Sequence, residues 1–450
     1  MFVAAAIAAQ STVARADWLV VGGGPVGTLA VAGLLNRTSS KSRVAWVDPA
    51  FENMGRLGIY GSVPANTRTD RLLKVFRSLP ALEFDASQSS RLADLEQLAP
   101  LLSKGALLGT LPLQASIDAL ADGSRAIRNN PRVEAHRGIV TALRGGSSGG
   151  WEADLTIAGS ESGTLQLHTD RVILAPGAEP RQPPEALLAL IAKESRMQLL
   201  DFDTAVAPAR LRALVEQKHS QRSPEQQQQQ RPSLRDANFA IVGGSHSGLL
   251  AAWNAVTICN ASSVSVWNPA PLRLAEERDG WIKYDGTGLK GDVRAWAVEV
   301  MEAQGREADG ESSAAVCESA GGATAAAPFG VTLHTDAPRS GDAAADAAEL
   351  ARRIITTGAD WLVWTTGFER QRTASVPLPS VSWDGRDVDL VSTSYNGRNG
   401  AIAGTDGLHG IGVAFPEVYT DPEGHTETRV GYVNSLVEHV GRIVAAAEPA

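Results

Sequence analysis

The chain of 450 residues contains only two cysteines, Cys259 and Cys317. Two thiols cannot build a disulfide framework or a metal site held by several thiolates. Basic residues are also in deficit: 41 stand against 50 acidic residues, a formal net charge of -9. That balance argues against a nucleic-acid-binding surface. The eight histidines are scattered singly, so no metal-ligand or Ser–His–Asp spacing stands out.

Long apolar runs are missing as well. The longest near the start, residues 2–9, is far shorter than the roughly 18 residues that a membrane span needs. We therefore expect no integral membrane segment and a cytoplasmic location, with targeting to an organelle by the short N-terminal extension left open. Charged residues make up 20% and hydrophobic residues 43% of the chain, as in globular proteins.

The first strong pattern is a glycine loop between a strand and a helix. Apolar residues 17–21 predict the strand, and GGGPVG at 22–27 fits G-x-G-x-x-G. In this motif Gly22 permits a tight turn, Gly24 lets a pyrophosphate approach the backbone, and Gly27 lets helix and strand pack closely. The pattern predicts a dinucleotide-binding loop.

Two further residues support this prediction. Pro25 opens the predicted helix 25–35, whose N-terminus offers free N–H groups to phosphates. Asp48 closes the next predicted strand, 43–47, and stands 26 positions after Gly22, against about 20 in the usual fingerprint. A carboxylate at this place can accept hydrogen bonds from ribose hydroxyls.

The opening pattern repeats in the second half of the chain, where strands are predicted at 238–242 and 264–267 around a helix at 249–258. The residues expected to line the pyrophosphate are Gly243, Ser245, His246, Ser247 and Gly248. A less favoured alternative for His246 is that it acts as a general base. The second strand ends in Asn268 rather than a carboxylate, which favours NADP over NAD. Arg273 is either a partner of the 2′-phosphate or a solvated loop residue.

Two such units, roughly 220 residues apart in the sequence, predict an α/β fold with two Rossmann-like dinucleotide-binding domains. A polar stretch at 217–236 with five consecutive glutamines predicts a linker, and the Ala/Gly/Ser/Glu-rich run at 303–327 a surface insertion. A similar low-complexity run lies at 337–348. A helix is predicted at 113–129, and another closes the chain at 427–447.

Residues 54–67, MGRLGIYGSVPANT, resemble the flavin-containing monooxygenases, whose stretch is G-R-[WL]…Y-x-S-V-x-x-N-[ST]. The matching residues are Gly55, Arg56, Leu57, Tyr60, Ser62, Val63, Asn66 and Thr67. The family's G-x-G-x-S-G resembles the second glycine loop. Its A-T-G-[YF] resembles TTGF at 365–368, and an earlier, looser version of that motif resembles APG at 175–177. These motifs stand in the family's order, which is more specific than any one of them.

The resemblance implies a fold like that of glutathione reductase and the flavin monooxygenases. It implies a discontinuous FAD domain at 17–216 and 365–450, and an NAD(P) domain at 237–364. FAD would lie at the first loop and NADPH, or NADH, at the second. Besides the loop residues, it assigns Arg56, Gly177, Gly367 and Gly412 to cofactor binding. It assigns Asn66 to the flavin edge, where the amide would steady a C4a-peroxyflavin; the other interpretation of Asn66 is a helix cap.

The activity so implied is an NAD(P)H-dependent flavin monooxygenase that uses O2 on a small nucleophilic substrate. The family's F-x-G-x-x-x-H signature is not found, which keeps open an NAD(P)H:acceptor reductase and, less favoured, a redox sensor without turnover. Disulfide reductases are excluded, because Leu57 and Ser62 stand where they carry a dithiol. The glycine-rich segments 276–292 and 410–424 predict either close approach to a ligand or tight turns. The sequence leaves the oligomeric state open.

Overall fold

The computed structural model describes residues 14–64, 66, 113–159, 163–220, 233–308, 330–371, 373, 377–429 and 433–447. The strands are β1 Ala14–Val21, β2 Val44–Asp48, β3 Val133–Gly145, β4 Trp151–Ile157, β5 Thr164–Leu174, β6 Glu179–Pro180, β7 Gln198–Leu200, β8 Asn238–Val242, β9 Ser263–Trp267, β10 Glu276–Arg278, β11 Trp281–Lys283, β12 Val331–His334, β13 Trp361–Trp364, β14 Phe368–Glu369, β15 Ser380–Trp383, β16 Arg386–Val388, β17 Leu408–Gly410, β18 Glu417–Thr420 and β19 Thr426–Arg429.

The helices are α1 Pro25–Arg37, α2 Gln114–Arg128, α3 Glu185–Glu194, α4 Phe202–Val206, α5 Pro208–Ser220, α6 His246–Cys259, α7 Gly291–Ala308, α8 Ala343–Thr356 and α9 Val433–Ala447. Short 3₁₀ turns occupy Phe51–Asn53 and Gly55–Tyr60. Across the described ranges, no helix combines the length and the apolar character needed to cross a membrane.

The first domain is built on an eight-stranded sheet in the order β16-β15-β3-β2-β1-β5-β17, with β4 paired to β3 and β5. Its central strand β1 is parallel to β2 and β5 and is apolar on both faces. Trp18 and Val20 face the core formed with α1 and α9, whereas Leu19 and Val21 face the core on the opposite side. This two-sided burial explains the unbroken apolar run.

The second domain has a parallel five-stranded sheet in the order β12-β9-β8-β13-β7. Successive residues of β8 again alternate between two cores: Phe239 and Ile241 pack toward α6 and α7, and Ala240 and Val242 toward α3 and α8. Because β7 belongs to this sheet, the second domain begins before Gln198. The expected boundary near 217 is therefore too late. The sequence could not show this, because no turn or linker signal precedes so short a strand.

The chain crosses between the two sheets through an antiparallel ribbon, in which Phe368 pairs with Pro180 and Glu369 with Glu179. After the second crossing, β15, β16 and β17 return to the first sheet. The first sheet is thus assembled from two separate stretches of the chain, one before and one after the second sheet.

Several local expectations need correction. The low-complexity run 337–348 contains the start of a helix: α8 begins at Ala343, capped by the Asp342 side chain, and buries Ala347, Leu350 and Ile354 on one face. The closing helix starts only at Val433, because the expected start at 427 lies in strand β19. The helix α7 extends to Ala308, into the predicted insertion at 303–327; residues 309–329 lie outside the described part, as do 221–232 of the glutamine linker.

A buried histidine in α9 generates a stability prediction. His439 is 1% exposed, and burial, then the charges of Arg442 and His409, lower its pKa to about 4. Only the unfolded chain takes up this proton between about pH 6.5 and 4, so stability is complete above that window and falls as the pH drops through it. At pH 5 we expect about 2 kcal/mol of loss from this residue.

The measurement is thermal unfolding at pH 7 and pH 5. His439→Leu should show a smaller drop in Tm between the two pH values than wild type, and the control His168→Leu, on a 48% exposed side chain, should match wild type. An equal drop in all three proteins would contradict the assignment.

Candidate functional site

Two glycines of the first loop are required by backbone crowding. A Cβ at Gly22 would lie 2.2 Å from the carbonyl oxygen of Ala175, and Gly22 has a left-handed φ of +114°. A Cβ at Gly27 would lie 1.8 Å from the Gly22 carbonyl oxygen, which also accepts a 2.8 Å hydrogen bond from Trp46 Nε1. Strand, helix and neighbouring strand therefore meet at a distance that only glycine permits.

Gly24 is different, because its surroundings leave room. The nearest atom to a Cβ there would be the Met54 carbonyl oxygen at 3.7 Å, an ordinary contact. Gly24 is also the N-cap of α1, with Pro25 in the first turn and no side chain capping the free N–H groups. Open space and unsatisfied donors at a helix N-terminus fit a phosphate. The fold itself does not need a glycine at this position.

Asp48 closes β2 beside this loop. One carboxylate oxygen accepts a hydrogen bond from the Gly23 N–H at 2.5 Å, and the other from the Ala50 N–H at 2.6 Å. Burial raises the pKa of Asp48, against the opposing effect of these two bonds. The carboxylate is thereby fixed at the carboxyl edge of the sheet, where an adenosine ribose is expected in this fold.

The second loop repeats the crowded positions of the first. Gly243 also has φ +114°, and a Cβ at Gly248 would lie 1.7 Å from the Gly243 carbonyl oxygen. The open position is now Ser245, an exposed N-cap whose side chain makes no capping bond to α6. Asn268 takes the place of Asp48, and its side-chain oxygen accepts a 3.1 Å hydrogen bond from the Gly244 N–H. The two loops share their crowded glycines and differ at the open position, at the two residues after it and at the residue that closes the next strand.

His246 and Ser247 form the first turn of α6. Burial, and secondly the charge of Lys290, lower the pKa of His246 to about 4. Its imidazole is therefore neutral at physiological pH and a weak base. This agrees with a lining role for His246 and disfavours its alternative as a general base.

Arg56 is engaged between the two domains. Its guanidinium pairs with Glu179 of the ribbon and with Asp203 of α4, and the Tyr60 hydroxyl donates to Asp203 at 2.6 Å. The sequence suggested a cofactor contact for Arg56, which remains a prediction. The sequence could not reveal these carboxylate partners, because they are more than 120 residues away along the chain.

The remaining predicted residues fall in three places. Gly177 and Gly367 flank the ribbon with left-handed φ of +79° and +100° and open space beside them. Gly412 lies against Val26 in the first turn of α1, so β17 leads directly to the first loop. Arg273 is exposed and lies over the Tyr284 ring at 5.5 Å.

Asn66 is exposed, and its neighbours 65 and 67–112 lie outside the described residues. Its predicted place at the flavin edge therefore stays a prediction. Thr67, another residue of the resemblance, also lies outside the described part.

Comparison with known proteins agrees with this geometry. No protein-family model matches the chain. A monooxygenase from Paecilomyces divaricatus, AgnR1, is 28% identical over 432 residues, covering 92% of this chain and 93% of that protein. The ornithine N-hydroxylase KtzI of Kutzneria sp. 744 has a TM-score of 0.52 at 13% identity, covering 96% of this chain and 98% of its own.

A second solved structure gives the same answer. The cadaverine monooxygenase DfoA of Erwinia amylovora, solved with FAD, has a TM-score of 0.53 at 11% identity and covers 96% of this chain and 95% of its own. The chain has the two-domain flavoprotein fold. The predicted fold class and the predicted likeness to flavin monooxygenases are thus confirmed, and AgnR1 is a relative along nearly the whole length.

The difference between open and crowded glycines predicts two distinct phenotypes. Gly24→Val should fold but purify without FAD, because its side chain fills the space beside the uncapped N–H groups of α1. Gly27→Ala should fold poorly, because its Cβ overlaps the Gly22 carbonyl oxygen. Flavin absorbance per chain and circular dichroism of both variants check this. A folded Gly24→Val protein with full flavin content would refute the assignment of the first loop.

Proposed function

We propose that the protein is an FAD-dependent monooxygenase that consumes NADPH and O2 and oxygenates a small nucleophilic organic substrate. The observation that carries the proposal is the pair of loops, each crowded against backbone atoms at two glycines and each followed by a helix whose N-cap makes no side-chain capping bond. The full-length relative AgnR1 is named a monooxygenase, and the similar solved structures include an ornithine N-hydroxylase captured with reduced FAD, NADP+ and L-ornithine. The protein is accordingly an oxidoreductase.

The first loop fits FAD. The uncapped N-terminus of α1 would hold the pyrophosphate, Asp48 the ribose, and the segment ending at Gly412 would approach from the other side of the loop. When bound, FAD supplies hydride acceptance from the nicotinamide and the reaction with O2. The chain itself contributes position and the exclusion of water.

The second loop fits NADPH better than NADH. Asn268 gives the Gly244 N–H the same kind of acceptor that Asp48 gives Gly23, but it carries no charge to repel a 2′-phosphate. Its amide nitrogen donates to the Ala270 carbonyl oxygen, a bond that a carboxylate cannot make. The side chain is therefore fixed in a neutral form at the end of β9.

Asn268→Asp should shift the cofactor preference toward NADH. The new carboxylate can still accept from Gly244 but repels a 2′-phosphate. The ratio of kcat/KM for NADPH over NADH, measured by flavin reduction, should fall at least tenfold relative to wild type. Asn260→Asp, at the C-cap of α6, adds the same charge to the same domain as a control. A wild-type enzyme that selects NADH strongly would refute the interpretation of Asn268.

The decisive test of the proposed function is anaerobic reduction of the yellow protein with NADPH, followed by mixing with O2. A monooxygenase should oxidise NADPH slowly when no substrate is present and release little hydrogen peroxide. Rapid, stoichiometric peroxide release, or transfer of electrons to a quinone in preference to O2, would replace the proposal with the acceptor-reductase alternative.

Asn66→Leu should keep FAD and still accept hydride from NADPH. Without the amide, peroxide release in the absence of substrate should rise about a hundredfold or more, the effect of one donor to a developing oxyanion. The measurement is hydrogen peroxide formed per NADPH consumed. The control is Asn396→Leu, whose side chain serves a turn at Arg398. Unchanged coupling in Asn66→Leu would remove Asn66 from the site without touching the cofactor assignments.

A further inference from the structure

The two glycine-rich segments without assigned chemistry meet in the structure. Lys283 of β11 forms a 2.6 Å ion pair with Glu423, between β18 and β19. Glu427 of β19 accepts hydrogen bonds from the Gly286 N–H at 3.0 Å and the Thr287 hydroxyl at 3.1 Å. A hairpin of the first domain, between β17 and α9, thus contacts residues 284–290 of the second domain, which we call the clamp turn.

The clamp turn is tightly built. Tyr284 has a left-handed φ of +57°, rare for an aromatic residue. The Gly288 N–H donates to the Tyr284 carbonyl oxygen at 2.7 Å, and a Cβ at Gly288 would lie 2.6 Å from the Ala275 nitrogen. Leu289 is tied to the Arg273 carbonyl oxygen at 2.8 Å. Strain of this kind persists only where the surroundings enforce it, and it clusters at functional sites.

Inside the clamp turn lies a buried ion pair. Lys290 Nζ is 2.5 Å from a carboxylate oxygen of Asp285, and each side chain is only 6% exposed. The ammonium also donates to the Asp285 carbonyl oxygen. Burying two charges costs several kcal/mol per ion before their attraction is counted, and apolar residues of similar volume often stabilise as well. Stability alone therefore gives little reason for a lysine here.

The position of Lys290 supplies a reason. Helices α6 and α7 lie side by side, with Trp253 and Trp296 stacked at 6.4 Å between ring centroids. His246, in the first turn of α6, lies seven residues before Trp253. Lys290 lies six residues before Trp296, and its carbonyl oxygen accepts a hydrogen bond from the Arg294 N–H in the first turn of α7. The charge of Lys290 is felt at His246, where it lowers the pKa of the imidazole. The backbone places Lys290 near the second loop as well. Leu289, its neighbour, exchanges hydrogen bonds with the segment 273–275, and Leu272, just before that segment, lies 2.8 Å from where a Cβ at Gly244 would be.

We propose that Lys290, oriented by Asp285 within the clamp turn, binds a phosphate of NADPH at the second loop. The inference rests on the proposed function, because it assumes that this loop binds NADPH. A lysine paired with a carboxylate beside nucleotide phosphates recurs in protein kinases, where the acid fixes the ammonium for the phosphate. The hydrogen bonds that Glu427 accepts from the clamp turn connect the first domain to the turn that carries the lysine. This phosphate contact therefore depends on both domains.

The test is calorimetric titration of NADP+ into the oxidised, FAD-loaded protein. Lys290→Met should bind NADP+ about 10- to 100-fold more weakly, the effect of losing one hydrogen bond to a charged group, while its FAD content stays that of wild type. The control is Lys193→Met, which removes one exposed charge from α3 of the same domain and should bind as wild type does. Wild-type affinity in Lys290→Met would overturn the proposal.

The nucleotide used identifies the phosphate. If binding of NADP+ and 2′,5′-ADP weakens but that of NAD+ does not, Lys290 contacts the 2′-phosphate. If NADP+ and NAD+ weaken alike, it contacts the pyrophosphate. Either pattern supports the proposal, because both are contacts with a phosphate oxygen. Failure of the wild-type protein to bind NADP+ would instead refute the proposed function of the second loop.

A second variant separates binding from folding, because Lys290→Met leaves the Asp285 carboxylate buried without its cation. The double variant Lys290→Met/Asp285→Leu removes both charges and should restore the thermal stability of the turn. It should nevertheless remain at least tenfold weaker for NADP+ than wild type. If the double variant regains wild-type affinity, the weakness of the single variant came from the unpaired carboxylate, and the proposal is overturned.

Discussion

The close approach of a strand end to the first turn of a helix governs both halves of this protein. A Cβ at Gly27 or Gly248 would come within 1.8 Å or 1.7 Å of the carbonyl oxygen five residues earlier. No rotamer relieves such an overlap, because the clash is with the backbone. The approach brings the helix N-terminus to the carboxyl edge of the sheet, and its unsatisfied N–H groups then create an anion site. The binding site is a consequence of packing.

Once the packing is fixed, the remaining loop positions are free to set the ligand. The open position carries no side chain in one loop and Ser245 in the other, and the residue closing the next strand is Asp48 in one and Asn268 in the other. Both closing side chains accept from the backbone N–H after the first glycine, so their backbone role is shared. The charge differs, and so does the second bond: Asp48 accepts from the Ala50 N–H, whereas Asn268 donates to the Ala270 carbonyl oxygen. The same architecture therefore presents two loops that differ in charge and at the open position without a change in fold.

Sequence patterns sufficed where the determinants are local. The β8 strand and the α6 helix can be predicted from the apolar pattern and the glycine spacing alone. In β8, successive apolar residues face the two cores of the second domain in turn. Helix α8 was missed because its alanine-rich start is typical of low complexity, although Leu350 and Ile354 mark a buried face. Strand β7 has three residues and no pattern of its own, and its place depends on Trp361, Leu362 and Val363 far along the chain.

The contacts that join the domains could not be predicted from the sequence, because each is made by residues that are distant along the chain. The ribbon of β6 and β14 joins the domains through a pairing of only two residues on each strand. Arg56 adds a second tie through Glu179 and Asp203, and Glu427 adds a third at the clamp turn. Polar contacts at two separate places restrict rotation between the domains more than a single contact does. Hydride transfer needs the reacting atoms held about 3–3.5 Å apart, so these polar ties constrain the geometry that the two loops must share.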